Sequence, residues 1–218
     1  LWSNQIIGFE DPGSLDSPLV PLLNIRYLLV DPSDDLDHPD WEPVFRQGLK
    51  IYRNKREYPR AFMVHQARTA TSFEEAVADL TEGRVDASRI AVVEAAAASA
   101  IDLPSGAPAE PGRVRIVRYE HSAVRITTSS SAPGLVVLCD MMYPGWRAYV
   151  NGRSADILKV NGIFRGVCVP AGECRVEFRF EPGRLRIGLV FLWLGLLIAG
   201  GCFAASYQPS RSKGERLA

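Results

Sequence analysis

The segment Asp31 to Glu42 (DPSDDLDHPDWE) spaces oxygen-bearing side chains as a calcium loop does, with Asp31, Ser33, Asp35, Asp37 and Glu42 at its ligand positions. Leu36 stands where such a loop needs a glycine, Pro32 and Pro39 interrupt it, and no helix leads into it. It therefore reads as a solvated acidic loop between strands. His38, His65 and His121 lie far apart, and none has a second histidine or a cysteine at ligand spacing, so no metal is expected. Ser129 to Ser131 lacks the glycines and the strand-to-helix turn of a nucleophile elbow. No phosphate-cradling glycine loop or dinucleotide fingerprint occurs either. No catalytic residue and no cofactor is expected within this chain.

The most distinctive string is Tyr143 to Gly152 (YPGWRAYVNG), a Pro-Gly turn feeding a strand that Asn-Gly closes. Trp146, Ala148 and Val150 share one face of that strand, and Arg147 and Tyr149 the other. Tyr143, Trp146 and Tyr149 are candidates for a glycan-stacking platform, since the apolar C–H faces of sugar rings lie well on aromatics. The competing reading, favoured by the alternation with Arg147, makes Trp146 a core anchor. Cys168 and Cys174 flank a turn and are candidates for a cross-hairpin disulfide, with two free thiols as the alternative. Cys139 and Cys202 carry no such pairing signal.

Residues 1–95 combine strands with one helix. Ile25 to Val30, Leu49 to Tyr52, Ala61 to Val64 and Ile90 to Val93 are short apolar runs that predict strands. Ser72 with Glu75 forms a capping-box signature, Gly83 suits a C-terminal cap, and Phe73, Ala76, Val77 and Leu80 fall on one helical face. Alanine, proline and glycine dominate 96–112, the expected linker. Residues 113–183 predict an antiparallel β-sandwich of about seven strands: Val114 to Tyr119, Ala123 to Thr128, Leu135 to Asp140, Trp146 to Val150, Ala155 to Val160, Phe164 to Val169 and Arg175 to Phe180. Asn151-Gly152 and Asn161-Gly162 are strong hairpin signals. The fold class expected is thus mainly β with some α/β, closed by a helix over 184–207 and a short basic tail over 208–218. Whether the two soluble sections pack as one body is open at this level.

Ile187 to Ala205 (IGLVFLWLGLLIAGGCFAA) is uncharged and mostly apolar, and as a helix it would span about 29 Å, the thickness of a bilayer's hydrocarbon core. A transmembrane helix is expected there. Gly195 with Ala199 and Gly200 with Ala204 make small-residue strips suited to neighbouring membrane helices. Basic residues flank the run almost equally, so charge alone does not orient it. The chain opens at Leu1 without a signal-peptide pattern, which fits the tail of a longer membrane protein better than a leader already removed. Equal numbers of basic and acidic residues, 25 each, argue against a nucleic-acid partner.

Leu22 to Val30 (LLNIRYLLV), Leu49 to Val64 (LKIYRNKREYPRAFMV), Tyr143 to Pro182 and the apolar run that follows resemble, in this order, the C-terminal region of the YfhO-type family of bacterial polytopic membrane proteins. Members of that family look related to the GT-C glycosyltransferases, whose donors are lipid-phosphate-linked sugars. The resemblance implies an extracytoplasmic globular region before the last membrane helix, with the tail cytoplasmic and the catalytic carboxylates upstream of this chain. It implies as partners membrane lipid, neighbouring transmembrane helices and, through the parent protein, cell-envelope glycan or a polyprenyl-phosphate sugar. The alternative is a non-enzymatic glycan- or protein-binding envelope module tethered by one helix.

Overall fold

The computed structural model describes residues 12–95, 101, 103 and 112–206, and within the last helix the side chains of Gly183, Gly188 and 191–203. The tail at 208–218, and the linker at 96–112 but for 101, 103 and 112, lie outside the described residues. The chain divides into two compact units, Leu1–Phe180 and Glu181–Ala218.

In the first unit a short helix α1 (Leu19–Leu22) precedes three strands, β1 (Tyr27–Val30), β2 (Trp41–Gln47) and β3 (Leu49–Asn54), in the order β1-β3-β2. Leu15, Val20, Trp41 and Tyr52 form their small core. Pro43 cannot donate to a ladder, and β2 accommodates it at the sheet edge beside a bulge. The acidic loop folds onto itself: Asp31 accepts hydrogen bonds from the Ser33 amide at 2.9 Å and its hydroxyl at 2.6 Å, and Asp35 pairs with Lys50 at 2.9 Å.

The next elements are β4 (Ala61–Val64), β5 (Gln66–Ala70), α2 (Phe73–Thr81) and β6 (Ile90–Glu94). β5 and β6 pair in parallel, so α2 is the crossover such a pair requires. Ser72 Oγ accepts from the Glu75 amide at 3.1 Å, and Gly83 takes a φ of 68°, so the helix starts and stops where the sequence predicts. Ala76 and Leu80 of its expected apolar face are buried and Val77 is half-buried, but two residues depart from expectation. Phe73 is half exposed, while Asp79 is fully buried between Arg68 and Arg84, each 2.9 Å away.

Eight further strands complete the unit: β7 (Arg113–Tyr119), β8 (Ala123–Ser130), β9 (Gly134–Met141), β10 (Trp146–Val150), β11 (Arg153–Ala155), β12 (Leu158–Val160), β13 (Phe164–Val169) and β14 (Gly172–Phe180). They form a β-sandwich, but not one confined to 113–183. One sheet has the order β11-β10-β14-β8-β7; the other, β4-β9-β13-β12-β6-β5, hydrogen-bonds strands from both sides of the linker into one surface. The sections on either side of the linker are therefore one body. Ala155 to Val160 is not a single strand: β11 and β12 belong to different sheets, and the chain crosses between them at Asp156 and Ile157.

Strands β4, β9 and β13 of the six-stranded sheet carry core residues on both faces. Val136, Leu138, Val167 and Val169 meet Val124, Ile126, Val176 and Phe178 of the facing sheet, while Leu135, Val137 and Val160 pack under Ala76 and Leu80 of α2. This is why β9 (GLVVLCDM) is a continuous apolar run rather than an alternating one. Ile101 and Leu103 rest on the same helix-side core. Both Asn-Gly pairs adopt positive φ, 50° and 81° at Asn151-Gly152 and 49° and 80° at Asn161-Gly162, and turn β10 into β11 and β12 into β13.

The second unit contains α3 (Gly183–Ser206), a continuous helix over the run expected to be helical. Its described large apolar side chains, among them Phe191, Trp193, Leu197 and Phe203, are more than half exposed. Among the described residues no helix is long and apolar enough to cross a membrane.

Candidate functional site

Strand alternation carries a charged pair into the sandwich. On β9 the even-numbered positions face the other sheet, so Asp140 follows Val136 and Leu138 inward. On β13 Arg165 shares its face with Val167 and Val169, and only 3% of it is exposed. Arg165 Nη2 donates to Asp140 Oδ2 at 2.8 Å. Arg60, immediately before β4, donates to Asp140 Oδ1 from Nε at 3.2 Å and from Nη2 at 2.8 Å. A bulge on β7 at Val117 turns Tyr119 inward, where its hydroxyl donates to Asp140 and accepts from Arg60 Nη2 at 2.7 Å.

Two guanidiniums thus share one carboxylate, leaving an excess positive charge in the end of the sandwich. The Arg165 guanidinium lies 3.9 Å from the centre of the Trp146 ring and 5.7 Å from that of Phe178, a stacked cation–π arrangement. Its Nε and Nη1 are buried with no hydrogen-bond partner. Burial pushes this guanidinium below its ordinary pKa, against the opposing pull of Asp140. Burial, then Asp140, push the Tyr119 phenol up, and the same two causes drive the Cys139 thiol up to about 12. Beside the cluster opens a cavity of about 480 Å³ lined by Tyr119, His121, Asp140, Met141, Trp146 and Arg165, with Glu120 and Val124. Unpartnered N–H donors, a carboxylate, a phenol and an indole are groups that hold hydroxyl-rich or anionic ligands. Because Asp140 already accepts from three side chains, the arrangement is built for holding rather than for proton transfer.

The three aromatics proposed as a platform do not form one. Tyr143 is in the turn before β10 and is 61% exposed. Trp146 faces the sandwich interior, half-buried, with Arg165 on its ring and Phe180 at 5.5 Å, tilted. Gly145 makes that packing feasible, because at its φ of 106° a Cβ would stand 2.8 Å from the Phe180 ring. Tyr149 lies on the opposite face of β10, under Arg179 at 5.0 Å. Of these three, only Trp146 reaches the cavity.

The Cys168–Cys174 disulfide is not formed. Cys174 is a buried free thiol whose Sγ is 3.7 Å from the Pro170 carbonyl oxygen. β13 and β14 do not pair with each other but belong to different sheets, so Cys168 packs on the helix-side core and Cys174 inside the sandwich. Sequence reasoning passed over Asp140, Arg165, Arg60 and Tyr119. One signal was available, a lone arginine on the apolar face of the β13 strand.

Among solved structures the chain aligns with the cryo-EM structure of the arabinofuranosyltransferase AftD from mycobacteria. The identity is 19% and the TM-score 0.33, over 50% of this chain and 8% of that one. The chain thus spans a small part of that protein's length. No family model matches the chain, and no curated protein matches it.

Proposed function

We propose that this chain is the extracytoplasmic region and last membrane helix of a YfhO-like integral membrane protein, accessory to the transfer of lipid-linked sugars in the bacterial cell envelope. The reading is carried by α3. A helix apolar on every side must be surrounded by apolar material, and its side chains from Phe191 to Phe203 stand exposed in this chain. The full run Ile187 to Ala205 has the length a bilayer asks for, and a tail after it would lie in the cytoplasm. Within this reading bond making belongs to the parent protein, and the Arg165 cavity is the contact with glycan. Transfer from a polyprenyl-phosphate sugar by the full-length parent, compared with a parent lacking this region, tests the accessory role. Unchanged transfer overturns it.

The second reading, a non-enzymatic glycan-binding module on a single tether, is favoured by the cavity itself, whose carboxylate is already saturated. Titration calorimetry of the full chain in detergent against envelope oligosaccharides tests the glycan contact common to both readings. Binding weakened at least tenfold by Arg165→Gln and by the milder Tyr119→Phe supports it. Binding indifferent to both removes the cavity from consideration.

A further inference from the structure

The chain is neutral overall, yet its charges are sorted by face. Paired residues of adjacent strands point to the same side, so on the outer face of the five-stranded sheet Arg113 stands opposite Ser129, while Arg115 and Arg175 flank Thr127. Arg118 opposes Arg125 on this face, and Arg147 opposes Arg179. Like charges set opposite one another are unfavourable unless something neutralises them. Glu177 answers Arg125 at 2.9 Å and Arg179 at 2.6 Å, and Glu120 answers Arg118 at 2.5 Å. Arg113, Arg115 and Arg175 have no carboxylate partner among the described residues. They line a shallow concavity of about 670 Å³ together with Thr127, Ser129, Asn151 and a single carboxylate, Glu173.

We propose that this face binds the phosphate headgroups of an anionic lipid bilayer. A guanidinium presents its N–H groups as a fork that matches two phosphate oxygens at once. Arg115 and Arg175 are two strands apart, about 10 Å, and Arg113 is two residues along β7 from Arg115, about 7 Å. That spacing meets separate phosphates spread over a plane rather than one anion in a pocket. Hydroxyls of Thr127 and Ser129 lie between the cations as further donors. Each such arginine strengthens contact with an anionic surface about fivefold, and salt screens the effect. The inference rests on the membrane reading of α3 only in that a tether keeps the surface near lipid.

The test is arginine footprinting with phenylglyoxal, read by mass spectrometry, on the full chain reconstituted in phosphatidylcholine vesicles with or without phosphatidylglycerol. Arg113, Arg115 and Arg175 are expected to react at least fivefold more slowly with phosphatidylglycerol present, and to recover at 0.5 M salt. Exposed Arg46 and Arg53 of the three-stranded sheet are expected to react alike in both vesicles. Equal rates for the three arginines in both lipids overturn the proposal, as does slowing shared by Arg46 and Arg53. Protection by inorganic phosphate over phosphatidylcholine alone overturns the lipid assignment in favour of a soluble phosphate. A carbonate wash separates the two ideas: release of the chain ends the membrane reading of α3, while the footprint still decides the surface.

Discussion

Asp140 stands within hydrogen-bonding distance of two arginines and a tyrosine, and its removal would leave the buried Arg165 guanidinium without its carboxylate and facing the half-exposed Arg60. Breaking such a pair from one side costs about 3–5 kcal/mol, so Asp140→Ala is expected to lower the unfolding free energy by that amount in urea titration. Cys139 gives a pH prediction. Its folded pKa, about 12, lies above the ordinary 9.0, so the thiol's contribution to stability is complete below pH 9 and disappears as pH climbs toward 12. Urea midpoints taken between pH 8 and 11 should fall, and Cys139→Ala should flatten the alkaline slope. Little of this site was legible beforehand. Asp140 ends an apolar run and Arg165 interrupts one, but the two are distant in sequence, and only the pairing of β9 with β13 brings them together.

At the scale of elements, local chemistry carried further. Ser72, Glu75 and Gly83 state the ends of α2 because capping is settled within one turn of chain, and Ser72→Ala is expected to cost about 1 kcal/mol, seen as a lowered thermal midpoint. The Asn-Gly turns were equally readable, since positive φ is a property of the two residues themselves. The turn between β13 and β14 was readable as a turn but not as a corner between sheets, and that corner decides between the two readings of Cys168 and Cys174 against the disulfide. β2 and β5 gave no clear signal: one is an exposed edge strand containing Pro43, the other a polar strand at the rim of its sheet. The buried face of α2 was legible at Ala76 and Leu80, but Asp79 was not expected on it: Arg68 and Arg84 pair with its carboxylate and make its burial tolerable.

For the whole molecule, the apolar character of α3 makes a prediction independent of the sandwich. If bilayer surrounds it, Leu194→Arg near its middle should make insertion less favourable by about 2.5–3.5 kcal/mol, read as a larger carbonate-extractable fraction of the full chain. Overall neutrality, 25 charges of each sign, concealed a basic sheet face, because composition sums over the surface whereas the pleat sorts residues between two sides. The same contrast holds throughout. The sequence by itself determined the strands with strong apolar or turn signals, the capped helix, the hairpin turns and the long apolar run, all set by interactions within a few residues. The tertiary structure decided which strands share a sheet, that 12–95 and 112–180 form one body, that the candidate thiols and aromatics lie on different faces, and that Arg60, Tyr119, Asp140 and Arg165 converge beside a cavity. Those outcomes depend on strand pairing between distant segments, and periodicity reports that a strand has an inner face without reporting what that face meets.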